Sequence, residues 1–343
     1  MVTLGTTDVM LVTGGTGLVG SHMAEQARAR GLQVRCLVRS IAQAAFLRSS
    51  GCELVEGDLD QSASLAAAVS GVTVVVHCAA KVGDWGPTEG YRRVNVEGTR
   101  SLLEAATATG LLKRWIQISS LGVYEGRDHY GTDEATEPSS AGIDGYTLTK
   151  VESERLVVDW MRTKGLPGVV LRPGFIYGER DRTVLPRLLE RLQSGKFAYL
   201  GSPEKLMNNT WVGNLCHAVW LAIERDDVTG EVFNIRDPRL VTKKEFIETV
   251  CEAAGLDRPR KIVPIAVARV LARVLEGLWK LLGRQEAPIL NSARLKFLGL
   301  NLDYSIDKAI RRLGYSPPSD FRDAMPAAVK ACAQKHKSAG APR

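Results

Sequence analysis

Short apolar runs alternate with longer segments of helical periodicity in the first half of the chain. The runs are rich in β-branched residues, as buried strands are, and they lie at residues 9–13, 34–38, 53–55, 72–77, 114–119 and 168–171. Helical spacing covers residues 18–30, 88–109 and 146–164. Strands that alternate with helices of this length predict βαβ units and therefore a doubly wound, parallel α/β sheet.

The second half of the chain has a different pattern. Residues 182–195 and 213–225 are helical in spacing, residues 230–235 resemble a strand that returns to the sheet, and the chain after residue 242 is almost entirely helical. We therefore predict a sheet domain over residues 1–180, to which 209–235 return. A smaller, mostly helical lobe is predicted over 181–208 and 236–334, followed by a flexible tail at 335–343.

The composition is that of an ordinary globular protein. Of 343 residues, 45% are hydrophobic and 24% charged, which supplies a core and disfavours disorder. The net charge of +7 is spread along the chain, so a dedicated nucleic-acid-binding protein is not expected. No apolar run is long enough to span a membrane, and no secretory signal pattern precedes the first strand. We expect a cytoplasmic protein.

The cysteines and histidines show no metal-binding pattern. The six cysteines contain no CxxC pair, and the five histidines are scattered. Cysteines of this kind are typical of small buried residues in a reducing compartment. No metal site is therefore predicted.

A glycine-rich loop, TGGTGLVG at residues 13–20, joins the first predicted strand to the first helix. Glycines let the backbone approach a pyrophosphate closely and present free N–H groups at a helix N-terminus. The position between a strand and a helix is the context that a dinucleotide-binding loop requires. The residues predicted to bind the cofactor here are Gly14, Thr16, Gly17, Leu18, Val19 and Gly20.

The residues after the second and third strands bear on the identity of the cofactor. NAD sites place Asp or Glu on the ribose hydroxyls about 20 residues after the glycines. No acidic residue lies between Gln26 and Cys52, and Arg39 stands in that region. A guanidinium suits a 2′-phosphate, so NADP(H) is favoured and NAD(H) stays possible; alternatively, Arg35 and Arg39 only solvate the strand end. Asp58 is expected either to bind adenine or to cap the next helix.

A second group of residues has the composition of a proton-transfer site. Tyr146 and Lys150 are four residues apart, so one helix face carries both. A nearby ammonium favours phenolate, and we therefore expect the pKa of Tyr146 to be lowered. Ser119 and Ser120 end the fifth strand, and a serine hydroxyl there can hold a substrate carbonyl beside the tyrosine. This set predicts alcohol–ketone interconversion with a nicotinamide. The absence of a GxSxG motif disfavours a serine hydrolase.

Together these motifs resemble those of the extended short-chain dehydrogenases/reductases, a family with a Rossmann-type sheet. The resemblance runs from about residue 9 to residue 318 and also includes His77-Cys78-Ala79-Ala80 and Asn95. It implies catalytic roles for Ser120, Tyr146 and Lys150, with Asn95 supporting the site. Ser120 is chosen over Ser119 because its distance to Tyr124 matches the family spacing. The resemblance further implies cofactor contacts at Asp58, Leu59, Ala79, Ala80, Lys81, Tyr146, Lys150 and Pro173.

Details within the family narrow the substrate class. Residues 79–86 and the C-terminal runs 303–309 and 313–315 are similar to the 3β-hydroxysteroid dehydrogenase branch, which includes sterol-4-carboxylate 3-dehydrogenases and 2-alkyl-3-oxoacid reductases. A bulky apolar substrate is therefore expected. Its predicted contacts are Trp85, Ser120, Gly174, Phe175 and Asn209.

Two alternative functions stay open, and the family resemblance also bears on the oligomeric state. A sugar-nucleotide epimerase, dehydratase or reductase has the same core, but commonly keeps an acidic residue after the second strand. A redox-sensing protein that binds NADP(H) without chemistry often loses the tyrosine. The resemblance also implies a homodimer, built on the helices near residues 88–109 and 145–164.

Residues 265–283 form an amphipathic helix by their spacing. Arg269, Arg273, Glu276 and Lys280 make one polar stripe on an otherwise apolar segment. Such a helix packs over a substrate cleft or in a dimer interface, or else it lies on a membrane surface. Four charges disfavour a membrane-spanning helix.

Overall fold

A seven-stranded parallel sheet is the centre of the fold. The computed structural model describes residues 2–139, 141 and 144–339, with side chains as far as residue 333. The strands of the sheet are β1 (Val9–Thr13), β2 (Gln33–Val38), β3 (Glu53–Glu56), β4 (Val72–His77), β5 (Arg114–Ile118), β7 (Gly168–Pro173) and β12 (Val232–Ile235). Their order is β12-β7-β5-β4-β1-β2-β3, so the direction of strand addition reverses next to β1. Ligands bind at this switch point, outside the carboxyl ends of the strands.

Helices cover both faces of the sheet, because successive residues of each central strand point to opposite sides. Met10 and Val12 of β1 face a cluster that includes Met23, whereas Leu11 faces a second cluster that includes Val75. The helices of this part are α1 (Leu18–Ala29), α2 (Ala45–Ser49), α3 (Ser62–Val69), α4 (Thr88–Arg92), α5 (Gly98–Ala108), α6 (Gly145–Lys164) and α8 (Val212–Glu224).

The long helix predicted over residues 88–109 is interrupted. Helices α4 and α5 are joined by a π-helical turn, Arg93–Glu97, whose wider spacing is a feature of functional sites. The sequence pattern continues smoothly through this turn, and the residues that flank it, Arg92 and Gly98, have helical φ and ψ values. Only the extra residue per turn differs from an α-helix.

The later segments form a smaller group of helices and two-stranded ladders. The helices are α7 (Leu185–Gln193), α9 (Lys243–Ala254), α10 (Ile265–Leu281), α11 (Ser292–Gly299) and α12 (Phe321–Ala339). The short strands are β6 (His129–Thr132), β8 (Phe175–Tyr177), β9 (Tyr199–Leu200), β10 (Leu206–Met207), β11 (Asn209–Trp211), β13 (Val241–Thr242), β14 (Ile262–Val263) and β15 (Leu302–Tyr304). They pair as β10–β13, β11–β8, β14–β9 and β15–β6. The sequence pattern did not predict these ladders, since strands of two to four residues carry little periodicity.

The predicted division into a sheet domain and a lobe stays a prediction. Strand β12 does lie at the edge of the sheet, paired in parallel with β7. Helix α12 continues in its backbone to Ala339, and residues 340–343 of the predicted tail lie outside the described residues.

Candidate active site

The glycine loop between β1 and α1 is held by close backbone contacts. Gly14 has a φ of +68°, and a Cβ there would lie 2.9 Å from the Ala79 nitrogen. Gly17 donates from its N–H to the Gly14 carbonyl at 2.9 Å, and a Cβ on Gly20 would lie 2.3 Å from the same oxygen. No side chain caps the N-terminus of α1. The first N–H groups of this helix are therefore available to phosphate oxygens.

Buried polar groups link the start of the glycine loop to the segment after β4. The Thr13 hydroxyl accepts from the Ala79 N–H at 3.2 Å and pairs with His77 Nδ1 at 2.7 Å, while His77 Nε2 pairs with the Thr99 hydroxyl at 3.0 Å. Burial lowers the pKa of His77 to about 3, so the ring is neutral. Thr13 and Thr99 were not singled out by the sequence pattern. The structure gives them the function of tying β1 to the loop after β4.

Asn95 lies in the π-helical turn and clamps the same loop. Its Oδ1 accepts from the Lys81 N–H at 2.7 Å, and its Nδ2 donates to the Lys81 carbonyl and the Thr149 hydroxyl, both at 3.0 Å. All of these bonds are internal, and Asn95 is buried. The role expected for Asn95, that of supporting the site, stays a prediction; its bonds tie Lys81 to Thr149 of α6.

The two adjacent serines after β5 have different environments. Ser119 is buried, and its hydroxyl donates to Glu154 Oε2 at 2.5 Å. The Ser120 side chain is only half-buried, and its Oγ accepts from the Gly122 N–H at 3.0 Å. This leaves the Ser120 proton free for an external acceptor, as the choice of Ser120 requires.

Tyr146 and Lys150 lie on one face of α6, which begins with a capping box between Asp144 and Thr147. Lys150 is buried and donates from Nζ to the Ile118 carbonyl at 2.5 Å, directly below the serines. Among the described residues, no group hydrogen-bonds to the Tyr146 hydroxyl.

The Ser120 turn also contacts the first turn of α6. A Cβ on Gly122 would lie 3.1 Å from Ser120 Oγ and 3.7 Å from Thr147 Cγ2. The fold thus brings Ser120, Tyr146 and Lys150 to the same region of the carboxyl edge.

The pKa of Tyr146 departs from the expectation. Burial raises it to about 12, and the Asp144 carboxylate adds to this effect. The lowered pKa predicted from the nearby ammonium is therefore wrong in this structure. Burial also lowers the pKa of Lys150 to about 8, against the opposing effect of Glu154. The site at neutral pH thus holds a protonated tyrosine and a mainly protonated lysine.

The predicted adenosine-side residues lie at the ends of β2 and β3. Arg39 is exposed and has no ion-pair or hydrogen-bond partner among the described residues. Arg35, in contrast, already has partners within the protein. It forms an ion pair with Glu53 at 2.8 Å and donates to backbone carbonyls around α3.

Asp58 does not cap the next helix, which begins after Gln61 without a side-chain cap. Its Oδ1 accepts from the Leu59 N–H at 2.7 Å, while the Leu59 side chain is buried. Arg39 has no partner among the described residues, and the Asp58 carboxylate does not cap a helix. Both residues follow neighbouring strands at the carboxyl edge of the sheet.

The predicted substrate-side residues separate into two groups. Trp85 is half-buried and donates from Nε1 to the Arg284 carbonyl at 3.0 Å, so its loop touches the segment after α10. Gly174 and the half-buried Phe175 follow the buried Pro173 at the end of β7. Asn209, however, is 1% exposed, and its Nδ2 donates to Asp237 Oδ2 at 2.8 Å. This bond ties β11 to Asp237, and the substrate contact predicted for Asn209 stays a prediction.

Lys296 is a site residue that the sequence pattern missed. This α11 lysine is 5% exposed, and its Nζ donates to the carbonyls of Gly122 and Tyr124, both at 2.6 Å. Burial lowers its pKa to about 8. Lys296 therefore holds the turn that carries Ser120. An isolated lysine on a short helix gives no sequence signal for this contact.

Gly174 offers a test of the close approach beside the site. A Cβ there would lie 1.8 Å from the Asn208 carbonyl oxygen, so Gly174→Ala forces β8 away from its neighbours. We expect a loss of about 1–3 kcal/mol in the free energy of unfolding, measured with denaturant. Gly277→Ala is the control, because Gly277 lies inside α10 with nothing within 4 Å. It should stabilise by about 0.5–1 kcal/mol. Equal effects of the two changes would contradict the contact.

Comparison with known proteins identifies the family. The model of the NAD dependent epimerase/dehydratase family matches residues 10–235, which is more than half of the chain. The chain belongs to this family. It is an extended short-chain dehydrogenase/reductase and an oxidoreductase.

Two curated relatives and one solved structure are similar to this chain over most of its length. A ketoreductase of Stigmatella aurantiaca, which acts on 4-hydroxy-2-methyl-3-oxo-4-farnesyl-3,4-dihydroquinoline-1-oxide, is 32% identical over 89% of this chain and 91% of its own. A 3-beta-hydroxysteroid dehydrogenase of Mycolicibacterium neoaurum is 31% identical over 92% and 89%. The crystal structure of a UDP-glucuronic acid 4-epimerase from Bacillus cereus with NAD superposes with a TM-score of 0.76 at 21% identity, over 96% and 99% of the two chains. That last likeness is one of fold.

The residues present fit the nicotinamide dinucleotide that this family uses. A Cβ on Gly14 or Gly20 would clash with the backbone of Ala79 or Gly14, so only glycines allow the tight loop that leads into the uncapped N-terminus of α1. Lys150 carries three N–H groups but has one hydrogen-bond partner among the residues described. Its remaining donors suit ribose hydroxyls, and the N-terminus of α1 suits the pyrophosphate.

Proposed function

We propose that the enzyme interconverts a secondary alcohol and a ketone on a bulky apolar substrate, with NADP(H) as its favoured cofactor. One observation carries this proposal. A protonated tyrosine, with no hydrogen-bond partner among the described residues, lies one helical turn from a buried lysine, and a serine whose proton is free contacts the same helix end through its turn. This is the donor set that a ketone oxygen needs when it becomes an alkoxide.

Each residue has a separate part in the reaction. In the direction of reduction, the Ser120 hydroxyl donates a hydrogen bond to the substrate carbonyl oxygen and polarises it. Tyr146 transfers its proton to that oxygen, since its raised pKa keeps the proton in place at neutral pH. A nicotinamide dinucleotide held by the N-terminus of α1 and by Lys150 would supply the hydride for the carbonyl carbon. Lys150, fixed on the Ile118 carbonyl, stabilises the tyrosinate that results.

The relatives support an apolar substrate. One relative is named for a farnesyl quinoline oxide and another for a 3β-hydroxysteroid, and both names describe large hydrophobic molecules. In this chain the half-buried Phe175 packs against the cluster of the later segments, at 5.8 Å from the Phe246 ring centre. An aromatic surface at this position suits a hydrophobic substrate better than a sugar nucleotide.

Nicotinamide absorbance with purified protein tests this function. The panel contains a sterol 3-alcohol with and without a 4-carboxylate, a long-chain 2-alkyl-3-oxoacid and a UDP-sugar, each with NADP(H) and NAD(H). Turnover on an apolar member supports the proposal. Conversion of the UDP-sugar alone, without net change of the cofactor, would instead assign the enzyme to the epimerases.

The cofactor preference depends on Arg39. Arg39→Gln should raise the KM for NADPH about tenfold or more and leave the KM for NADH nearly unchanged, because only the 2′-phosphate loses a charged hydrogen bond. Arg35→Gln is the control in β2, the strand that precedes Arg39, since Arg35 is bound to Glu53. An equal effect of Arg39→Gln on both cofactors would remove the basis for an NADP(H) preference.

The assembly and location also belong to this proposal. We infer a homodimer formed by the α4–α5 and α6 faces, and a cytoplasmic location, from the family resemblance and the composition. Sedimentation at several protein concentrations distinguishes a dimer from a monomer.

A further inference from the structure

Helix α10 has an exposed apolar face. Its spacing places Ala268 and Ala272 on the side that packs against Leu290 and Leu295, and these two alanines are the buried residues of the helix. A second side carries the polar stripe. The third side forms what we call the α10 surface, which consists of Val267, Val270, Leu271, Val274, Leu278, Leu281 and Leu282.

The α10 surface is a continuous stripe. Its residues follow the spacing i, i+3, i+4, i+7, i+11, i+14 and i+15, so they share one side of the helix. Their exposed fractions lie between 44% for Leu278 and 83% for Leu281. Ile262 and Ile289, outside the helix, are also more than half exposed. Apolar residues that are exposed together on one helix side mark an interaction site rather than ordinary surface.

Basic residues flank this surface. Residues 257–286 hold seven Arg or Lys and three Asp or Glu, a net charge of +4 in a chain whose total is +7. Six of the basic residues are exposed and form no salt bridge with any described residue. They are Arg260, Lys261, Arg269, Arg273, Lys280 and Arg284. Of the three acids, Glu276 is already bound to Ser292 at 2.6 Å.

The α10 surface also adjoins the predicted substrate loop. The Arg284 carbonyl, just beyond the helix, accepts from Trp85 Nε1 at 3.0 Å. Arg294 of α11 pairs with Asp84 at 2.5 Å. The loop at 84–85 is thus fixed to the same group of helices that presents the apolar stripe.

We propose that the α10 surface docks this enzyme on the surface of an anionic lipid bilayer. The apolar stripe lies among the acyl chains at the interface, and the flanking arginines and lysines contact anionic headgroups. The described residues contain no helix with the length and hydrophobicity of a membrane span. The contact that we propose is peripheral. Docking in this orientation brings the Trp85 loop close to the lipid bilayer, where apolar substrates are concentrated.

The charge pattern selects lipid over a second copy of the chain. In a twofold dimer on this surface, each copy would bring its own unpaired basic residues towards those of its partner. Anionic headgroups instead complement this charge, and the attraction weakens as salt screens it.

Flotation of the full-length protein with vesicles tests the proposal. We expect the protein to float with vesicles of phosphatidylcholine and phosphatidylglycerol in equal parts, weakly with phosphatidylcholine alone, and less at high salt. Replacing Val274 and Leu278 together with Asp should reduce binding about tenfold or more. Arg269→Gln with Arg273→Gln should weaken binding to the anionic vesicles about tenfold or more, as two lost interfacial charges imply.

A matched control variant shows whether the loss of vesicle binding is specific to the α10 surface or follows from any loss of exposed apolar residues. Leu111→Asp with Ile310→Asp changes two residues of similar exposure outside α10, 50% and 48%, and should bind as the parent does. All variants should keep the parental thermal midpoint, since the changed side chains are exposed. Absence of flotation by the parent, or equal loss in the control variant, overturns the proposal. So does a dimer that the α10 aspartates dissociate while vesicles are not bound, because the surface would then be an interface between copies.

Discussion

We expect turnover to fall by about 10²–10⁴-fold when Tyr146 is replaced with phenylalanine, while cofactor binding is retained. The phenyl ring fills the same space, but the proton donor is gone. Because the Tyr146 hydroxyl has no hydrogen-bond partner among the described residues, its removal leaves no buried group unpaired, and stability should change little. The measurement is steady-state turnover with the best substrate of the panel, together with titration of NADPH by fluorescence.

Two further variants sharpen this result. Tyr130→Phe removes a hydroxyl from a residue that is 76% exposed and should leave turnover unchanged. Ser120→Ala should lower turnover without the change in pH profile that loss of the proton donor brings. Near-full activity of the Tyr146→Phe protein would rule out Tyr146 as the acid and leave the hydride step without a proton source.

The second large effect is one of stability, at the ion pair between Glu154 and Arg172. Both side chains are at most 5% exposed, their charged atoms approach to 2.5 Å, and Ser119 donates a further bond to Glu154. Glu154→Gln leaves the Arg172 charge buried without its counter-ion. We expect a loss of about 3–5 kcal/mol in the free energy of unfolding, measured by denaturant titration.

A surface pair provides the comparison. Glu97 lies 3.3 Å from Arg100, and both side chains are about half exposed. Glu97→Gln should cost at most about 1 kcal/mol, since solvent screens such pairs. Adding Arg172→Met to Glu154→Gln should recover part of the lost stability, because it removes the unpaired charge. A Glu154→Gln protein as stable as Glu97→Gln would show that the pair does not hold β7 against α6.

The fold and the main residues of the site follow from local patterns. The glycine loop lies between a strand and a helix, and Tyr146 and Lys150 are one helical turn apart, so both signals are contained in short windows of sequence. The parallel sheet and the family could be predicted for the same reason. The choice of Ser120 over Ser119 rested on spacing and stays a prediction, which the bond from Ser119 to Glu154 supports.

Other features depend on distant contacts and had no local signal. The pKa of Tyr146 is set by its depth in the fold, which spacing to a lysine does not measure. Asn209 looks like a cleft residue in sequence, yet Asp237, 28 residues away, binds its amide. The exposure of α10 was equally inaccessible, since an amphipathic pattern is the same whether its apolar side meets protein, lipid or water.

The contact of Lys296 with the Ser120 turn limits how this enzyme can be altered. The lysine belongs to the late part of the chain, whereas the carbonyls that it holds belong to the sheet part, 172 and 174 residues earlier. A chimaera in which a relative's C-terminal helices replace those of this chain must therefore keep a hydrogen-bond donor at position 296. Without that donor, the turn that carries Ser120 loses its support. Segments swapped to change the substrate range should therefore leave Lys296 and the Ser120 turn in place. The loops around the substrate site are the better choice for such exchanges.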